Sequence, residues 1–177
     1  KLGGALVVEI PRKQAIAESS RVQFENTNIR GSINLTGGRL DDLVLSNFRE
    51  TIAEGSPDVS LMSPVGTELP YFASFGWLLS DASIPTPKSD TVWTANRSEL
   101  SPGNPLDLSW DNGAGLVFHR TFALDENYLF TVNQSIENNG DTTLEVAPYS
   151  LINRTGTPEV SQLYILHEGL VGVLEEK

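Results

Sequence analysis

The stretch from Asn104 to Asn153 constrains this chain most, because apolar and polar side chains alternate along it in runs that only β-structure accommodates. Leu106, Leu108 and Trp110 fall on one face of a first run. Phe118, Phe122 and Leu124 share a face of a second, and Tyr128, Phe130, Val132 and Ile136 share a face of a third. Leu144, Val146 and Ile152 do so in a fourth. Successive side chains of a strand point to opposite sides, so this pattern predicts an antiparallel sheet with one buried face. Asn112-Gly113 and Asn139-Gly140 fall between runs, where a type I′ hairpin turn would place residues that tolerate positive φ. Asp125-Glu126-Asn127 is a weaker turn signal of the same kind. The expectation is a four-stranded meander on which the rest of the chain packs.

Shorter runs of the same kind precede it. RVQFEN (21–26) and IRGSINL (29–35) alternate, and Gly37-Gly38 turns the chain into RLDDLVLSNF (39–48), with Leu40, Leu43, Leu45 and Phe48 as buried candidates. VSLM (59–62) and the aromatic YFASFGWLL (71–79) are further strand candidates. Residues 80–104 carry Pro85, Pro87, Pro102 and many Ser, Thr and Asp. They predict a long surface excursion with one short strand near Val92-Trp93. Residues 1–20 predict an extended entry with room for a helical turn, residues 153–164 a turn-rich bridge, and residues 165–177 a return to apolar alternation. No stretch sustains helical periodicity for three turns, and no repeat or linker divides the chain. At 177 residues it is long enough for one core of its own. The fold class is therefore all-β, an antiparallel β-sandwich or barrel in a single domain over 1–177, with 21–177 as its sheet-forming body.

The chemical inventory excludes more than it admits. A net charge of -11, from 12 basic and 23 acidic residues, argues against nucleic acid and against an anionic lipid surface. With no cysteine there is no thiol nucleophile, no cysteine-held zinc or iron–sulfur cluster and no disulfide framework. No Gly-x-Ser-x-Gly elbow and no phosphate-cradling loop occurs. Asp41-Asp42 lacks the further oxygen ligands of a calcium loop and is expected to be a pair of solvated turn residues. His119 lies mid-strand on the face opposite Phe118 and Phe122, and His167 stands beside Glu168. Together they could do acid–base work on a sugar, although a polar strand face and a strand end account for them more simply. Trp77, Trp93 and Trp110 could form a sugar-stacking platform, but large aromatics in a sandwich more often belong to its core or rim. The triplets headed by Asn34, Asn96, Asn133 and Asn153 carry little weight as glycosylation signals. No catalytic, cofactor-binding or metal residue is assigned on these grounds, and no cofactor is expected.

Four longer segments carry a resemblance. TNIRGSINLTGGRLDDLVLSNFRET, PYFASFGW, LSWDNGAGLVFHRTFALDENYLFTVNQSIENNG and LINRTGTPEVSQLYILHEGLVGVL are similar, in this order and with similar spacing, to the large periplasmic domain of the YidC family of bacterial inner-membrane protein insertases. The resemblance implies a β-supersandwich akin to the galactose mutarotases. It also implies a non-catalytic role at the periplasmic face of the inner membrane, with contacts toward the Sec translocon and SecDF. Nascent membrane proteins would be met by the whole insertase. Family members continue past the HEGL-like segment, so further strands are expected beyond Lys177. A sheet left incomplete there would offer an edge for self-association. The alternative from another class is a carbohydrate-binding or mutarotase-like module.

Overall fold

The computed structural model describes residues 9–156. Helix α1 (Arg12–Ala17) occupies the place where the entry segment had room for a helical turn. The strands that follow are β1 (Arg21–Glu25), β2 (Ile29–Asn34), β3 (Arg39–Arg49), β4 (Asp58–Met62), β5 (Tyr71–Leu79), β6 (Thr94–Ala95), β7 (Glu99–Leu100), β8 (Leu106–Asp111), β9 (Leu116–Leu124), β10 (Phe130–Asn138) and β11 (Val146–Arg154). One sheet runs β11-β5-β3-β2-β1-β7, with β4 also on β3; the other runs β10-β9-β8-β6. Their strand pairs are antiparallel except β1 with β7. Aromatic rings join the two layers into a β-sandwich. Phe75 of β5 meets Phe122 of β9 edge-on at 5.7 Å, Trp77 meets Phe118 at 5.1 Å, and Phe24 of β1 meets Phe130 of β10 at 5.1 Å.

The expected meander has three strands, not four. β8, β9 and β10 pair in sequence, but β11 lies in the opposite sheet, with Tyr149 opposite Gly76 of β5. Neither Asn139 nor Gly140 adopts positive φ, so no type I′ turn forms there. Asn138 Oδ1 instead accepts from Gly140 N at 3.0 Å, and Asn138 Nδ2 donates to Thr142 O at 2.9 Å, which turns the chain out of the sheet. Asn112-Gly113 does close a hairpin, but as a four-residue loop with positive φ at Gly113 and Gly115. The weaker signal at Asp125 closes the β9–β10 hairpin, with Asp125 Oδ1 accepting from the amides of Asn127 and Leu129.

At the tip of that hairpin the two layers are latched. Asn26 Oδ1 accepts from the amides of Asn28 and Ile29, shaping the β1–β2 turn. The same side chain donates through Nδ2 to the carbonyls of Asp125 and Asn127, both at 2.9 Å. Asn28 Nδ2 adds a bond to Glu126 O at 3.0 Å. Side chains of the β1–β2 turn thereby satisfy backbone carbonyls of a turn in the opposite sheet.

Strand β3 departs from simple alternation. Ser32 pairs with Asp42 and Ile33 with Leu40, so Asp41 is an extra residue in a β-bulge. The bulge lets Leu40 and Leu43, three residues apart, both reach the core. Leu45 keeps the parity of Leu43 and is half-buried. Phe48 falls on the other side and is 51% exposed, against expectation. The excursion at 80–104 is also less superficial than expected. Gly37 N donates to Thr91 O at 2.7 Å and Trp93 N to Leu35 O at 2.9 Å, which lays the segment on the β2–β3 turn and buries Trp93. The final apolar run, 165–177, lies outside the described residues.

Gly31 marks where the chains approach most closely. A Cβ there would lie inside the van der Waals envelope of Asp42 O and 2.7 Å from Phe24 Cζ, and the first of these neighbours is backbone. Gly31→Ala is expected to lower the unfolding free energy by about 3 kcal/mol in urea denaturation. Gly55→Ala, whose Cβ would meet nothing within 4 Å but whose φ is +78°, is expected to lose about 1 kcal/mol.

Candidate functional site

The alternation of β9 places Leu116, Phe118, Arg120, Phe122 and Leu124 on its inner face, and all five are buried. An arginine thus stands in a row of apolar side chains, 1% exposed at the centre of the sandwich. Its guanidinium is held by carbonyl oxygens. Nη1 donates to Gly38 O at 2.8 Å and to Gly37 O at 3.3 Å; Nη2 donates to Phe75 O at 2.7 Å and to Gln134 Oε1 at 3.4 Å. Aromatic rings surround its charge, with Trp93 4.7 Å away and Phe75 and Trp77 both 5.4 Å away. Among the described residues no carboxylate forms an ion pair with it. Burial lowers its pKa to about 10, against a raising influence from Tyr149, so the side chain remains a cation at neutral pH.

The backbone explains why an arginine fits there. β3 and β5 pair at Leu40 and Ala73, and continuing that register would set Gly38 opposite Phe75. The chain turns instead at Gly37-Gly38, with φ of 77° and 58°, and the ladder stops. The carbonyls of Gly38 and Phe75 are thereby left without ladder partners, and the fork of Arg120 bonds to both. Buried carbonyls need such partners, and a charged donor bonds them more strongly than a neutral one.

The other residues singled out from the sequence fall into three places. Asp41 and Asp42 are buried, not solvated: 1% and 6% exposed. Arg21 is paired with Asp41 and Arg12 of α1 with Asp42. Ser32 Oγ donates to Asp42 Oδ2 at 2.5 Å and accepts from Arg21 Nε at 2.7 Å. The bulge holds two adjacent carboxylates in buried positions, and the arginines compensate them. Trp77 and Trp93 stack on each other at 6.1 Å and are 5% and 2% exposed, so neither offers a face to a sugar. Trp110 is half-buried against Phe118. His119 sits on the outer face of β9, its side chain 39% exposed and Nε2 3.8 Å from Glu137 Oε2. His167 and Glu168 lie outside the described residues. Among the described residues no group of three or more His, Cys, Asp or Glu could hold a metal ion, and no helix is long and apolar enough to cross a membrane.

Arg120 is assigned no role from the sequence, although its place in the strand carries a signal. Period two counted through Phe118 and Phe122 puts the residue between them on the same buried face, and that signal was available.

Comparison with known proteins gives a consistent answer. The family described as the YidC periplasmic domain matches residues 21–177. A protein of Methylobacterium radiotolerans, named membrane protein insertase YidC, is 48% identical over 165 residues, which is 93% of this chain and 27% of that protein. The protein of the same name from Methylobacterium nodulans is 46% identical over 175 residues, 99% of this chain and 29% of its own length. That from Bradyrhizobium diazoefficiens is 45% identical over 168 residues, 94% of this chain and 27% of the relative. The chain therefore spans little more than a quarter of these curated relatives.

Arg120→Met keeps much of the side-chain volume but leaves the carbonyls of Gly38 and Phe75 without donors. It is expected to lower the unfolding free energy by about 3 kcal/mol in urea denaturation. Glu137→Gln, at the exposed partner of His119, is expected to change it by no more than about 0.5 kcal/mol.

Proposed function

This chain belongs to the YidC periplasmic domain family, and on that footing we propose that it is the non-catalytic periplasmic part of a membrane protein insertase. In this reading it assists the insertion and folding of inner-membrane proteins through contacts with protein partners, the Sec translocon and SecDF foremost. The observation that carries the reading is the family match along residues 21–177. Relatives named as insertases extend far beyond the region they share with this chain. The insertion step itself is assigned to the remainder of such a protein, and an accessory part to this domain.

The use made of the polar side chains supports an accessory, non-catalytic part. Arg120 bonds backbone carbonyls, and Asp41 and Asp42 are paired with Arg21 of β1 and Arg12 of α1. Groups locked in this way hold structure in place and are not free to exchange protons with a substrate. The acidity of the chain, -11 overall, favours protein partners over an anionic lipid surface.

Two measurements test the proposal. A whole insertase carrying this domain, with photocrosslinkers at exposed positions such as Leu78 and Leu151, is expected to capture Sec components in membranes. Their absence from every crosslinked position and from pull-downs of envelope extracts would overturn the contact role. Deleting residues 21–177 from the whole protein is expected to leave insertion measurable in a reconstituted assay. Complete loss would sink the accessory role.

A further inference from the structure

Arg120 also borders a small cavity, of 170 Å³, whose charged lining among the described residues is all of one sign. Arg39, Lys88 and Arg120 border it, and among the described residues no Asp or Glu does. That is a quarter of the basic residues, gathered at one place in a chain with 23 acidic ones. Four other arginines, Arg12, Arg21, Arg30 and Arg49, are paired with aspartates; Arg39 and Arg120 are not, among the described residues. The Nε groups of both are buried without an acceptor among the described residues. Buried donors of a charged group are rarely left so, and like charges held together raise the energy of an empty site. An anion in the cavity would offset the repulsion and offer an acceptor to Arg39.

The walls narrow the class of anion. The ring of Phe72 lies 5.8 Å from the Arg39 guanidinium, and Phe75, Tyr149 and Pro87 supply further apolar surface. Rings of this kind cannot replace the water around a small, highly charged ion, whereas they suit a hydrocarbon stem. A cavity of 170 Å³ is below the roughly 300–1,000 Å³ of pockets that take a whole drug-sized ligand, so it suits one acidic group with a few carbons. We propose that this cavity binds a carboxylate borne on an apolar stem, the Arg39 fork facing the two oxygens, Lys88 and Arg120 adding charge, and Phe72 and Tyr149 flanking the stem. A planar guanidinium matches a carboxylate in two parallel bonds, which a lone ammonium cannot do. The carboxylate could belong to a free small acid or to the C-terminus of a peptide. The inference does not depend on the insertase reading.

The test titrates the purified chain with 3-phenylpropionate, following tryptophan emission and heat. Trp77 and Trp93 flank Arg120 and are expected to report occupancy. Saturable binding is expected, weakened about tenfold or more by Arg39→Gln. Lys88→Gln is expected to weaken it less, and Arg39→Lys to restore part of the loss. The free Arg39→Gln and Lys88→Gln variants should hold or slightly raise the unfolding midpoint, since neither position belongs to the core and each change removes one of the gathered like charges. Inorganic phosphate at equal concentration is expected not to displace the acid. A short peptide ending in a free phenylalanine carboxylate is compared with its amide and with 3-phenylpropionate. Binding of the peptide acid tighter than the small acid assigns the site to peptide termini, and the reverse order assigns it to small acids; either supports a carboxylate site. No saturable change with any carboxylate, an unchanged affinity in Arg39→Gln, or displacement by phosphate as effective as by carboxylate would overturn it.

Discussion

The guanidinium of Arg120 is the constraint around which the two sheets are arranged. Moving an isolated cation from water into an apolar interior costs several kcal/mol even after relaxation, so a buried arginine persists only where the fold supplies compensation. Here the compensation comes without a carboxylate among the described residues. Carbonyl oxygens from the β2–β3 turn and from β5 accept its protons, and the faces of Phe75, Trp77 and Trp93 take up its charge. Apart from Gln134 of the neighbouring β10, each partner belongs to the sheet opposite β9 or to the segment laid on it. The side chain therefore fixes the separation and lateral position of the layers, which apolar packing alone specifies less sharply.

That arrangement extends to features that otherwise look unrelated. Gly38 must be a glycine, because its φ is +58° and a Cβ would come within 2.5 Å of Arg120 Nη1. The Trp77–Trp93 stack requires the excursion at 80–104 to return to the β2–β3 turn, where Trp93 N bonds to Leu35 O. Two further polar devices work at a distance from the centre. The Asn26 and Asn28 amides latch the tips of opposing hairpins, and Asp41 and Asp42 tie α1 and β1 to the bulge of β3. Apolar rings provide most of the driving force for closure, and these polar groups choose one closed form among several.

Much of this was legible in the sequence, and the errors have physical causes. β5 occupies the residues that its aromatic run indicated, β1 and β2 fall where short alternating runs stood, and β3 and β4 fall on the strand candidates at 39–48 and 59–62. The period of the side chains is local, so it survives without knowledge of the fold. Pairing is not local. Asn139-Gly140 carries the composition of a hairpin turn, but Asn138 uses its side chain to redirect the backbone, and β11 crosses to β5. Pro148 in β11 suits a strand at the margin of a sheet, which holds for the last strand of a meander and for the edge beside β5 alike. Asp41-Asp42 misled for a similar reason. Two adjacent carboxylates usually seek water, and only the bulge together with Arg12 and Arg21 keeps them buried. Family membership was legible from four segments, whereas a contact surface made of ordinary exposed side chains leaves no comparable pattern.

The interruption between β3 and β5 does more than admit Arg120. A continuous ladder at that place would close the sheet over Gly38 and Phe75 and leave no gap for a side chain. Because the ladder stops, the arginine can bond to both carbonyls from within, and Arg39, Lys88 and the rings of Phe72 and Tyr149 can border a cavity that it also lines. The cationic cavity and the inter-sheet anchor are consequences of one break in hydrogen bonding. A change that relieved the buried charge by removing Arg120 would also remove a wall of the cavity and the donors for two carbonyls. Stability and any binding at this place are therefore coupled through a single side chain.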